Sequence, residues 1–398
     1  MSKNNYLLPL VLLTSLFFLW GFAHSILDVL NKHFQEVLVI SKAHSALVQS
    51  VVYGGYFLMA IPAGIFIKRF GYRYGVVFGL LLYGIGALLF IPAEKIMSFN
   101  YFLFSLFVIG CGLTFLETAA NPYITELGDK KGGASRLNLA QSFNGLGWII
   151  GPLIGGLMIF QKDGTHGSVA LPYTVIGIVV LIVAMVFSKV KLPEIAIDIN
   201  ESSSEKGLKA LWNDKVFRYG VIALFFYVGA QTGINSFFIN YVTETNPSVS
   251  SRDAALTLSF GGMGLFMSGR FLGSWIMRTI KPSHLLLIVA AAASVCMFLV
   301  VIHIPWISTI ALFICYLFEA IMFPTIFALS ISGLGENTKQ GSSFLIMAIV
   351  GGAIAPVLMG LLGANNMALG FIVPLFCFLV VVAYALFLRM NFAKKISC

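Results

Sequence analysis

Charge is what this sequence has least of. Asp, Glu, Lys and Arg make up 10% of its 398 residues, against about a quarter in an ordinary soluble domain, which excludes a water-facing globular fold. Cysteines are few and scattered: Cys111, Cys296, Cys315 and Cys377 fall in apolar runs and Cys398 closes the chain. That spacing supports neither a disulfide framework nor a metal site. The six histidines show no HExxH-like pairing, so a membrane-embedded metalloenzyme is not expected, and no cofactor is implied. Deep basic residues are nearly missing too. Arg270 is the one clear candidate inside an apolar run, close to its end, which argues against an anionic substrate.

Apolar residues fill the space that charge leaves. The chain is 59% hydrophobic with 36 Phe and a mean hydropathy of +0.93. A helix that crosses a bilayer needs about 20 mainly apolar residues, and such runs recur from end to end. They fall at 7–32, 44–67, 74–92, 99–124, 136–160 and 171–188, and again at 217–242, 253–277, 283–302, 306–331, 342–363 and 368–388. The runs are too long and too continuously apolar for the alternating strands of a β-barrel. The expected fold is therefore an all-α integral membrane protein of twelve transmembrane helices. The first run is long, lacks a small-residue cleavage pattern and already holds Asp28, so it reads as span one and not as a cleaved leader.

Twelve spans put both termini on one side. With that side in the cytoplasm, only Lys32, Lys42, Lys95, Lys162 and Arg252 lie outside, and most other Lys and Arg fall on cytoplasmic segments such as KRFGYR, DKKGGASR and the tail RMNFAKK. This is the positive-inside asymmetry. The net charge of +9 thus follows topology, and no nucleic-acid partner is expected. The longest polar stretch, 189–216, separates residues 1–188 from 217–398 and reads as a cytoplasmic linker between two six-helix halves, a transporter arrangement.

The halves echo each other. Glu117 precedes Pro122 in ETAANPYITELG as Glu319 precedes Pro324 in EAIMFPTIFALSISGLG, by five positions in both cases. The following span carries GWIIGPLIGG in one half and AIVGGAIAPVLMG in the other. Glycine permits close backbone approach in a membrane, and proline permits a kink.

Two acids interrupt the apolar runs most conspicuously. Asp28 lies in FLWGFAHSILDVL with His24 one turn before it and Asn31 three residues after, and Glu117 shares a helix face with Asn121. Removing a carboxylate from water favours its neutral form, which makes Asp28 and Glu117 candidate proton carriers. Span five adds Asn138, Gln141 and Asn144 at three-residue spacing with Trp148 beyond, and span seven adds Tyr227, Gln231 and Asn235 at four-residue spacing. Amides donate and accept, carboxylates accept, and a flat ring covers the apolar face of a sugar. A neutral, hydroxyl-rich ligand fits this set, although amides also serve as glue between membrane helices. The basic loop KRFGYRYG, with Arg69 and Arg73, reads as a topology anchor and as a tight loop whose charges re-pair between conformations.

With these residues in view, the chain resembles the major facilitator superfamily and, within it, the fucose permease-like sugar–proton symporters. Three motifs carry the resemblance: FLWGFAxxxxDxLxxxFQ at 18–35, LETAANPYITELG at 116–128 and RLNLAQSFNGLG at 136–147. The block from Phe323 to Gly360 is similar to the matching second-half block, and 68–75 is a degenerate form of the superfamily's loop motif. The resemblance implies proton coupling and sugar binding at Asp28 and Glu117, a cavity amide at Gln141 and a role for Arg270. At 24–27 the chain departs from the family's asparagines and carries His24, Ser25, Ile26 and Leu27. That departure leaves the implied proton coupling intact and bears on the substrate alone: the resemblance puts fucose first, other hexoses such as glucose or galactose next, and the wider family includes amino-sugar carriers. A bacterial inner membrane, a monomer, and sugar, proton and lipid as partners complete the expectation. A drug–proton antiporter and a non-transporting solute sensor remain the alternatives.

Overall fold

The computed structural model describes residues 7–126, 133–161, 167–190, 211–304, 306–334 and 337–396. The core of the linker, 191–210, and the loop lysines Lys130 and Lys131 lie outside them, as does the side chain of Asn138. Among the described residues the chain is helical and forms no sheet. Among the described residues, eleven helices have the length and apolarity to cross a membrane. The twelfth stretch, expected at 253–277, is built from three pieces: a helix Ser251–Thr257, a π-helical turn Leu258–Met263 and a helix Gly264–Ile276. Its SFGGMG sequence explains the interruption, since clustered glycines weaken the regular ladder and widened turns form there. Span one is longer than the apolar pattern suggests, running Leu7–Leu38. Its polar end is held by a Lys32–Glu36 pair, 3.3 Å apart, at helical spacing.

The chain divides into two compact units. One comprises Met1–Ile40, Val51–Asn200 and Ser251–Ser259; the other comprises Ser41–Ser50, Glu201–Ser250 and Phe260–Cys398.

In the first unit, span one packs along span five (Gly133–Ile154). Leu7–Leu38 approaches so closely there that a Cβ at Gly147 would meet the carbonyl of Phe18, and one at Gly151 would meet Ser25. In a bilayer such close approach replaces the hydrophobic effect as the source of helix adhesion. Span two is Leu47–Phe70 and span three is Tyr72–Leu88, extended by Phe90–Ile96. They are joined by Gly71 at φ +90°, the conformation glycine alone adopts readily, so the loop 68–75 is tight as its sequence suggests. Span three packs on span four (Phe99–Glu126) and span six (Ala170–Lys189). Span six is capped from outside its own sequence: Glu94 accepts from the amides of Val169 (2.6 Å) and Ala170 (3.2 Å) and from the Ser168 hydroxyl (2.8 Å). A carboxylate at a helix N-terminus satisfies free N–H groups and the helix dipole together.

In the second unit, span seven (Lys215–Thr245) begins at an Asp214 cap that accepts from the amides of Val216 and Phe217. It packs on the last helix (Ile372–Ile396), on Gly351–Leu362 and on Met322–Ile331. Span nine is Pro282–Ile302. Span ten is divided into Ile307–Glu319 and Met322–Ile331.

The distribution of polarity is inverted relative to a soluble protein. Leu58, Ile61, Ile65, Met185, Phe298 and Leu361 are exposed, whereas Ser25, Asp28, Asn31, Asn235, Asn240 and Glu319 are buried. Apolar residues face outward because the surrounding medium is hydrocarbon, and polar ones turn inward where partners or a pathway exist.

Candidate functional site

The first unit gathers an aromatic and carboxylate cluster around His24. Its Nε2 lies 3.1 Å from the Tyr56 hydroxyl. Trp148 stacks on its ring at 6.2 Å and 14°, and Tyr53, Tyr56 and Trp20 close the remaining sides. The Tyr56 hydroxyl also faces Glu117 and Trp20. The cluster therefore joins span one (Trp20, His24), span two (Tyr53, Tyr56), span four (Glu117) and span five (Trp148).

Beside it is a small recess of about 10 Å³, lined by Phe17, Trp20, Leu116, Glu117, Ala120 and Asn121, room for about one water or one hydroxyl. Three buried polar atoms of its lining have no hydrogen-bond partner among the described residues: Nε1 of Trp20, Oε2 of Glu117 and Oδ1 of Asn121. One donor and two acceptors thus line the recess, the Trp20 and Glu117 groups both turned toward the Tyr56 hydroxyl. Buried polar atoms are normally paired, and a group that both donates and accepts would match these three.

Other expected residues have different positions. Ser25 is fully buried and donates to the carbonyls of Gly147 (3.1 Å) and Phe22 (3.2 Å). Asn144 Nδ2 donates to the Phe17 carbonyl at 3.1 Å. Both side chains therefore hold span one against span five. Gln141 is half-buried on the same helix as Trp148. Asp28 is 1% exposed and Asn31 fully enclosed, one turn beyond the His24 cluster along span one. Arg73 donates from Nε to the Phe187 carbonyl at 3.1 Å and from its guanidinium to the Ser188 carbonyl, a cation at the C-terminal end of span six where the helix dipole favours it. Arg69 is exposed and lies over Phe70 at 5.3 Å.

In the second unit, Tyr227 is fully buried and its hydroxyl donates to the Glu319 carbonyl at 2.9 Å. Two turns further along span seven, Asn235 is buried and its Oδ1 has no hydrogen-bond partner among the described residues. Gln231, between them, is half-buried. Arg270 is partly buried, with its guanidinium 4.9 Å from the Phe266 ring. Tyr53 and Tyr56 are the site residues that sequence reasoning missed. Their signal was the pair of tyrosines three apart in VVYGGYF, on one face of span two.

The model of the Major Facilitator Superfamily matches residues 12–356. This chain belongs to that superfamily. It is a multi-pass membrane carrier and not an enzyme. It is 38% identical over 417 residues to the L-fucose-proton symporter of Escherichia coli K12, covering 97% of this chain and 94% of that one. It is also 38% identical over 396 residues to a glucose/galactose transporter of Brucella abortus, covering 97% and 95%. Among solved structures, the superfamily transporter FucP in its outward conformation matches with a TM-score of 0.71 at 38% identity, covering 96% of this chain and 99% of that one. A D-xylose-proton symporter matches with a TM-score of 0.78 at 15% identity, which speaks for the fold alone. Two relatives of equal identity thus bear the names of different sugars, so the substrate of this carrier depends on its own site residues.

Proposed function

We propose that the carrier brings a neutral monosaccharide into the cell together with protons, by alternating access, with L-fucose as the first substrate and D-glucose or D-galactose as the alternatives. The observation that carries this reading is the recess that Trp20, Glu117 and Asn121 line with one donor and two acceptors, beside the stacked His24 and Trp148 rings. A hydroxyl supplies both a donor and acceptor lone pairs, and an aromatic wall suits the methyl group and apolar face of a 6-deoxyhexose. The names of the relatives, L-fucose-proton symporter and glucose/galactose transporter, agree with this chemistry.

Within that reading Asp28 and Glu117 carry the coupling proton. Glu117 also accepts from sugar hydroxyls, aided by Gln141, Trp148, His24 and Asn121, while Ser25 and Asn144 hold span one against span five behind them; Tyr227, Gln231 and Asn235 are the candidate sugar contacts of the second half. Arg69, Arg73 and Arg270 form charge contacts that change between states. The halves 1–188 and 217–398 rock as units about the linker 189–216. Both termini face the cytoplasm of a bacterial cell, the protein sits in the inner membrane, and one chain suffices. The opposing requirements are clear: an ionised acid inside a membrane is costly, so loading it with a proton lowers the barrier to reorienting the carrier.

Radiolabelled uptake into proteoliposomes tests the reading, with L-fucose, D-galactose, D-glucose and N-acetylglucosamine offered with and without an inward proton gradient. Gradient-driven accumulation of one sugar is the expected result. Folded protein that expels cationic compounds and ignores every sugar would instead make this carrier a drug–proton antiporter.

A further inference from the structure

Glu319 is the buried acid that this mechanism leaves unused. It is 0% exposed, and neither of its carboxyl oxygens has a hydrogen-bond partner among the described residues. It lies at a break. The first segment of span ten ends at Glu319 and the second begins at Met322, with Pro324 just beyond. Proline has no N–H to close the preceding turn and its ring crowds it. At the end of the first segment, the main-chain oxygen of Glu319 accepts from the Tyr227 hydroxyl.

The same acid-to-proline spacing at Glu117 and Pro122 has the opposite outcome. There the helix Phe99–Glu126 runs through the proline unbroken, and the carboxyl meets Tyr56. In span ten the backbone is interrupted and the carboxyl is sealed without a mate.

The surroundings of Glu319 account for the seal and, among the described residues, give its carboxylate no ion-pair partner. Span eight crosses here on small residues: a Cβ at Gly269 would meet the Leu317 carbonyl, and one at Gly273 would meet Ile321. The ionisable groups nearby are Cys315 one turn earlier, Cys296 of span nine beside Cys315, Tyr227 of span seven, and Arg270 of span eight next to Tyr227. No Lys or Arg forms a salt bridge with Glu319 among the described residues. A carboxylate closed off without cation or donor would cost several kcal/mol, and an apolar side chain of like size would fill the space without that cost. Packing therefore gives no reason for an acid at this position. Proton traffic does.

Resting on the sugar–proton reading above, we infer that Glu319 is a second proton-carrying group of the transport cycle. Its carboxylate takes a proton from water when the span-ten break is open. The neutral acid is then enclosed as the break closes, and the proton returns to water when the break opens on the other side. Two protons thus accompany each sugar, one on the Asp28–Glu117 set and one on Glu319.

The test is the proton-to-sugar ratio of the purified full chain in proteoliposomes with the membrane potential clamped at zero. At balance, one pH unit holds a sugar gradient of about tenfold if one proton moves with the sugar and about a hundredfold if two move. The probe is radiolabelled L-fucose, or whichever of D-galactose and D-glucose is accumulated. Wild type is expected to balance near a hundredfold. Glu319→Gln keeps the shape and polarity of the neutral acid but cannot ionise; it is expected to retain sugar exchange and to balance near tenfold. A wild-type ratio of one proton overturns the inference without recourse to any variant, which covers the case in which Glu319→Gln does not fold. A variant that still balances near a hundredfold overturns the assignment to Glu319. Wild type that accumulates no sugar at all overturns the symport reading and this inference with it, a result distinct from a ratio of one.

Discussion

Single side chains carry the proposed recognition of the sugar. The contact between His24 and Tyr56, 3.1 Å long and buried, fixes the histidine ring against Trp148. Tyr56→Phe removes the hydroxyl and leaves the histidine nitrogen unmatched, at a cost of about 1 kcal/mol. The expected result is an increase in the apparent KM for sugar of about fivefold with the maximal rate little changed, read from initial uptake rates. Asp28→Asn is expected to behave differently. If Asp28 carries the coupling proton, the variant exchanges labelled sugar across the membrane yet no longer accumulates it against a gradient. Full accumulation by that variant would move the proton to Glu117. Both acids and His24 were legible as interruptions of apolar runs. Ser25 and Asn144 were legible as polar residues, but not their use: they donate to the backbone of a facing helix. Their spacing cannot show this, because the acceptors lie more than a hundred residues away.

Helices and their ends obey local rules that here take effect across long sequence distances. Glu94 caps span six from the end of span three, beside a local cap in which Ser168 Oγ accepts from the Leu171 amide; the serine is legible in the sequence, and the Glu94 contact is not. Glu94→Ala leaves two amides and a helix dipole unsatisfied, and a loss of about 1–2 kcal/mol is expected. The check is a lower Tm in detergent with sugar transport retained at low temperature. In the second unit Lys42 pairs with Glu244 at 2.6 Å and donates to the Gly363 carbonyl at 2.7 Å, while Glu244 accepts from the Met367 amide at 2.9 Å. Glu244 is 33% exposed, so the pair is partly screened. A double-mutant cycle of Lys42→Met and Glu244→Gln on Tm is expected to give a coupling of about 0.5–1 kcal/mol that shrinks in high salt. Span eight follows its apolar run closely, 251–276 against the expected 253–277, but carries a π-helical turn inside it, which hydropathy does not register because it does not count the missing side chains of the glycines.

For the whole molecule, the positive-inside pattern predicts sidedness. Alkaline phosphatase fused after residue 390 is expected to be inactive in a bacterial host, and a fluorescent protein fused there is expected to be bright. The reverse result would invert the proposed topology and with it the sense of Lys42 and Arg252 as outside charges.

Sequence alone determined that this protein lives in a bilayer and that Asp28 and Glu117 interrupt apolar spans, where burying a charge is costly. Those conclusions need only composition, run length and the cost of burying charge, which are properties of residues taken singly or in local order. The tertiary structure decided which polar groups are already matched. Trp20, Glu117 and Asn121 keep atoms open beside one recess, Ser25 and Asn144 are used up in holding two helices together, and Glu319 is sealed with no partner among the described residues. Matching depends on what faces a side chain across the bundle. That is settled by packing of distant segments, not by the order of residues along any one of them.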